Sequence, residues 1–68
     1  MRRDEIVVGG VYEGVGGTKR RVTKVYADMD CPDVCFVEYR TAALSLFRRV
    51  YEYEFLLWAK RRVDDAQP

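Results

Sequence analysis

From Thr41 to Gln67 the chain contains neither glycine nor proline, and the way this stretch folds separates two architectures. In one, Ala42 to Val63 forms a single long helix, with Glu52 and Glu54 toward its start and Lys60-Arg61-Arg62 at its end, the charge order a helix dipole favours. In the other, Leu44 to Val50 is a strand, Glu52 to Ala59 makes one or two helical turns, and Lys60 to Val63 returns as a short last strand. The apolar stripe argues for the second. On a helix Ala43, Leu46, Phe47 and Val50 would be followed by Glu54 before Leu57 and Trp58, which puts a carboxylate in the buried face.

The first half reads as β-structure. Ile6 to Tyr12 is β-branched and aromatic apart from Gly9-Gly10, which predicts a first strand with a bulge or close backbone approach. Three glycines within Gly14 to Thr18 supply the backbone freedom for a reversal. Arg20 to Ala27 carries Val22, Val25 and Tyr26 between charged residues, a half-buried second strand with a local irregularity. Asp28 to Asp33 collects turn formers, and Pro32 has no amide to donate to a ladder. Val34 to Arg40 then alternates, Cys35, Val37 and Tyr39 on one face and Phe36, Glu38 and Arg40 on the other. The expected fold is all-β: a five-stranded SH3-like small barrel with a short helical turn before the last strand. A three-stranded sheet with one long C-terminal helix is the alternative.

Sixty-eight residues make one small domain, expected over residues 6–63, with flexible ends at 1–5 and 64–68. A chain this short buries only about 60% of its unfolded surface, so each large side chain counts, and the nine aromatics are the main reserve of apolar area. Phe55 and Leu57 are expected as core plugs. Of Trp58 and Tyr53, at least one is expected to lie partly exposed. No apolar run approaches the roughly 18 residues of a membrane span, and the charged start leads into only three apolar residues before Gly9, so no signal peptide is expected. The expectation is a soluble, cytoplasmic protein without a membrane partner. Cys31 and Cys35 are then expected as free thiols. An exposed sheet edge or aromatic makes homo-oligomerisation a further expectation.

The chemistry available is narrow. Without histidine, the common general base near neutral pH and the common metal ligand are both missing. Cys31-x-x-x-Cys35 supplies two thiolates where structural zinc takes four ligands. The glycines at 14–17 lead into a strand and not into a helix, unlike a phosphate-binding loop. No catalytic residue, metal or cofactor is expected, and the chain reads as a non-enzyme.

What remains is a binding surface. Lys19-Arg20-Arg21, Arg48-Arg49 and Lys60-Arg61-Arg62 are the three basic clusters. Strands two, four and five could join parts of them into a face, with Tyr12, Tyr26 or Tyr51 nearby for stacking. The predicted binding set is Lys19, Arg20, Arg21, Arg48, Arg49, Tyr51, Tyr53, Trp58, Lys60, Arg61 and Arg62, since arginine beside exposed aromatics anchors interfaces. Against a dedicated nucleic-acid binder stands a sequence pI near 7.8.

Gly10-Val11-Tyr12, Gly17, Val22-x-x-Val25-x-Ala27, Val37-Glu38-Tyr39-Arg40 and Leu46-Phe47-x-Arg49 with Glu52 and Phe55-Leu56 resemble, in order, a small bacterial and phage family known only as a domain of unknown function. Its members read G-x-Y, a loop glycine, V-x-x-V-A, V-V-Y-R and L-W-V-R-P-L-E-x-F-L. The resemblance spans Gly10 to Leu56. Gly14 stands where the family has a histidine, a second histidine is absent, and Val50 replaces its proline, so nothing tied to those side chains carries over. The resemblance implies an all-β small barrel of SH3-like character. The function expected is stoichiometric binding of a phage- or mobile-element-encoded module to a host or partner protein, as an inhibitor, for example of bacterial defence, or as an adaptor. The alternative is nucleic-acid or nucleotide binding through the basic face.

Overall fold

The computed structural model describes residues 1–41 and 44–63, with side chains placed for 1–41 and 47–63. The predicted flexible end at 64–68 lies outside the described residues. Five strands form one antiparallel sheet: β1 (Val11–Gly14), β2 (Lys19–Ala27), β3 (Cys35–Thr41), β4 (Leu44–Tyr51) and β5 (Ala59–Arg62), in the order β4-β3-β2-β1-β5. A seven-residue helix, α1 (Glu52–Trp58), joins β4 to β5. The single long helix is therefore excluded: Phe47 to Tyr51 pair with Arg40 to Phe36 along β3.

The sheet is not a closed barrel, which corrects the sequence expectation. β4 and β5 are its two edges, because β5 returns to pair with β1 and not with β4. α1 packs on β3, β4 and β5, filling the opening that a β4–β5 ladder would have sealed. Its Phe55 is wholly buried in a core of Tyr12, Val22, Val37, Tyr39 and Ala59. The Phe55 ring meets Tyr12 edge-on at 5.6 Å and 86°, a favoured aromatic geometry. Leu57, expected beside Phe55 in the core, is 79% exposed. Two residues along a helix turn about 200°, so burying Phe55 points Leu57 outward.

Local chemistry explains the reversals. Between β1 and β2, Gly16 and Gly17 take φ of +81° and +77°, the left-handed region that side chains resist. Gly14 is required for space: a Cβ there would overlap the Trp58 ring and its carbonyl. A register shift between Val22 and Lys24 is the irregularity expected in the second strand. α1 starts with Glu54 accepting the Tyr51 amide proton at 3.3 Å, and Glu52 and Glu54 sit in its first turn, where the dipole favours anions.

The first strand is shorter and later than expected. Gly10 donates to the Val7 carbonyl in a tight turn, so the ladder proper begins at Val11. Gly9 and Gly10 still lie against β2, Gly9 donating to and Gly10 accepting from Val22. Arg3–Glu5, expected within a free N-terminal tail, form a 3-10 turn held to the domain. The Tyr12 hydroxyl donates to the Glu5 carbonyl and accepts from the Val7 amide, both at 2.8 Å, and Arg3 pairs with Glu52 of α1 at 3.0 Å. Tyr12 is fully buried and so cannot stack a ligand as the sequence suggested.

Candidate functional site

Cross-strand register sorts the side chains into two faces. The inner face carries Tyr12, Val22, Val37 and Tyr39. On the outer face the register sets Tyr26 opposite Phe36 and Phe36 opposite Tyr51, giving an aromatic row across three strands. The rings touch. Tyr26 and Phe36 lie 5.6 Å apart, Phe36 and Tyr51 stack at 4.9 Å and 21°, and Tyr53 at the start of α1 extends the stack at 5.8 Å and 14°. Tyr53 ends the row 60% exposed. Aromatic contacts of this type contribute about 0.5–1.5 kcal/mol each, so the row fixes its own geometry before any ligand arrives.

Cations occupy the next rows along the strands. Glu38 lies between Lys24 and Arg49, and Arg40 lies between Arg21 and Phe47. Arg49 covers the Phe36 ring at 4.5 Å and donates to the Tyr26 hydroxyl at 3.2 Å; that bond is the main cause raising its pKa above the usual guanidinium value. Arg40 covers Phe47 at 5.0 Å. Further along, Glu13 is flanked by Lys19 and Arg61 and binds Arg61 at 2.8 Å. At the opposite end, beyond the aromatic row, a cleft of about 550 Å³ runs between Tyr51, Tyr53 and Glu52 and the loop bearing Asp28 and Asp33.

The predicted set divides on this geometry. Lys19, Arg21, Arg49, Tyr51 and Arg61 share the outer face, and Tyr53 caps its aromatic row. Arg20 belongs to the inner side: its guanidinium is sandwiched between Trp58 at 4.0 Å and Tyr39 at 4.3 Å, and its Nε is buried without a hydrogen-bond partner. Trp58 is half-buried against Phe55 at 5.3 Å. Arg48 and Arg62 register with Tyr39 and Tyr12, again on the inner side, and Lys60 sits on the β5 edge at a register shift. Each basic cluster is therefore split between the two faces, and only part of each reaches the outer one. Sequence reasoning left Phe36, Lys24, Arg40 and Phe47 out of the binding set. Period-two alternation already placed Phe36 and Arg40 on one face, but which residues stand beside them depends on register.

Cys31 and Cys35 are free, and among the described residues no group of three or more His, Cys, Asp or Glu side chains could hold a metal. No described helix is long and apolar enough to cross a membrane. The fold and this surface define a small antiparallel β-domain with a solvent-facing aromatic and cationic sheet. No protein-family model matches the chain, and no curated protein or solved structure shows significant similarity to it.

Proposed function

We propose that this protein is a non-enzymatic binding module that acts by stoichiometric occupancy, and that its contact surface is the outer face of β2, β3 and β4. One observation carries the reading: the stacked row Tyr26–Phe36–Tyr51–Tyr53 stands on the solvent side of the sheet, next to Arg40 and Arg49, which form no ion pair among the described residues. A row of rings spent on the surface of a 68-residue domain, which needs its apolar area for the core, has a use outside the fold. Aromatics and arginine together are the side chains that anchor interfaces. The strand order, with a helical turn before the last strand, fits an SH3-like barrel left open on one side, a scaffold that serves binding through its faces. In a phage or mobile-element setting, a module of this kind would act as an inhibitor or adaptor.

The test is affinity capture from bacterial lysate followed by titration of the captured component. The unmodified chain is compared with Tyr53→Ser/Arg40→Gln on the outer face and Lys60→Ala on the β5 edge. Binding at about one to one, lost in the outer-face variant and kept in Lys60→Ala, is the expected result. Equal capture by all three proteins, or none by any, refutes the assignment.

A further inference from the structure

Resting on that reading of the outer face, we infer that its occupant is a single-stranded nucleic acid, with a base stacking at the exposed Tyr53 end of the aromatic row and phosphates running along Arg49, Arg40 and Arg21. Charge is segregated on the molecule. Among the described residues the outer face holds Lys19, Arg21, Lys24, Arg40, Arg49 and Arg61 against Glu13 and Glu38, a surplus of four positive charges. The whole chain carries only +1, so everything else sums to −3. A near-neutral pI therefore conceals a strongly basic face.

Within that face Arg21 and Arg40 are direct cross-strand neighbours, and like charges so placed destabilise a sheet. Neither forms an ion pair among the described residues: Arg21 donates to the Gly9 carbonyl at 3.2 Å, and Arg40 lies over Phe47. An anion bridging them removes the repulsion. Successive rows on a strand lie about 7 Å apart, a step that phosphates on an extended strand can follow. The acidic cleft flanks Tyr51 and Tyr53 on the side of the aromatic row away from the arginine rows, so it repels phosphates and sets one direction for the strand: backbone over the arginine rows, a base against Tyr53. The 56%-exposed Phe47 ring beside Arg40 provides a second stacking station.

The geometry favours a single strand over a duplex. Entering a major groove takes a helix or a two-stranded ribbon presenting base-reading side chains. α1, the one α-helix among the described residues, has Glu52 and Glu54 in its first turn and no basic residue in its last. Stacking on exposed rings, by contrast, needs unpaired bases.

The test is fluorescence anisotropy with labelled twelve-nucleotide poly-dT and poly-rU between 50 and 200 mM salt, alongside a duplex of the same length and poly-glutamate. Three to four phosphate contacts give a slope of about −2 to −3 in log affinity against log salt, a loss of roughly 20- to 50-fold over that range. Arg21→Gln and Arg40→Gln should each flatten the slope by about 0.7, and Tyr53→Ser should weaken binding at least about fivefold while Tyr53→Phe keeps it. Lys60→Ala should change neither. Circular dichroism of each variant confirms that it is folded. No oligonucleotide binding at 50 mM salt, binding indifferent to Arg21 and Arg40, or equal affinity for duplex overturns the inference. Poly-glutamate binding as tightly as the oligonucleotides overturns it in favour of an acidic protein partner. If capture from lysate is nuclease-resistant, yields a protein and still depends on the outer face, the binding-module reading stands while this inference falls.

Discussion

Arg20 and Arg21 are neighbours in sequence and alike in chemistry, yet the structure gives them opposite fates, which makes them a sharp test. Arg20 lies between the Trp58 and Tyr39 rings, while Arg21 is exposed on the other face. Truncating Arg20 to alanine removes two cation–π contacts, about 1 kcal/mol each at a half-buried site. It also strips methylenes of the stem from the rings, a further ~1–2 kcal/mol. Against this, the Nε that is buried without a partner disappears, which returns about 1 kcal/mol or somewhat more. The net loss is about 2 kcal/mol, from a total stability of roughly 3–10 kcal/mol for a chain of this length. At about 4–8 °C per kcal/mol, Arg20→Ala should lower Tm by about 8–16 °C. Arg21→Ala should move it by less than about 4 °C, as an exposed substitution does. Arg20→Met, which keeps the stem against the rings and deletes the unpaired Nε, should recover more than half of the loss. Thermal unfolding followed by circular dichroism and by fluorescence of the lone Trp58 reads all three. Equal melting of the two alanine variants, or a larger loss for Arg21→Ala, would refute the sandwich as a source of stability.

Further expectations concern the backbone, the N-terminal turn and the thiols. Gly14→Ala should be more destabilising than Gly16→Ala: the first forces a methyl into Trp58 and costs about 3 kcal/mol or more, whereas the second meets open space and costs only the ~1–2 kcal/mol of a left-handed residue; urea midpoints rank them. Tyr12→Phe keeps the core ring but leaves the Val7 amide and Glu5 carbonyl unpaired, so it should cost about 1–3 kcal/mol and speed hydrogen exchange at Val7 well before the sheet amides are affected. Reductant should leave Tm unchanged, and a thiol reagent should label exposed Cys31 ahead of half-buried Cys35; a reductant-dependent Tm would show that the two pair.

The strands and the short helix were legible in the sequence because each rests on local periodicity. Period-two alternation in Val34 to Arg40 put Val37 and Tyr39 on one face, and both are buried. The carboxylate of Glu54 argued correctly against a continuous helix. The start of the first strand was misjudged because β-branched residues before Gly9 promise a strand, whereas a hydrogen-bonded turn at Val7–Gly10 uses them otherwise. Leu57 was misplaced for a related reason: hydrophobicity says that a side chain gains by burial, but a helix lying on a sheet has only one side to bury.

Composition and alternation by themselves determined that this is a small β-rich chain with no histidine chemistry, three basic clusters and more aromatics than a core of this size holds. Only the tertiary structure decided that Arg20 is packed between rings, that Tyr12 ties down the N-terminal turn, and that Tyr26, Phe36 and Tyr51 form one row. The physical reason is that alternation assigns each residue to a face of its own strand, while the neighbours on that face are set by cross-strand register. Register here depends on a shift at Val22–Lys24 and on a turn needing left-handed glycines, and on β5 returning to β1, with α1 filling the gap it leaves beside β4.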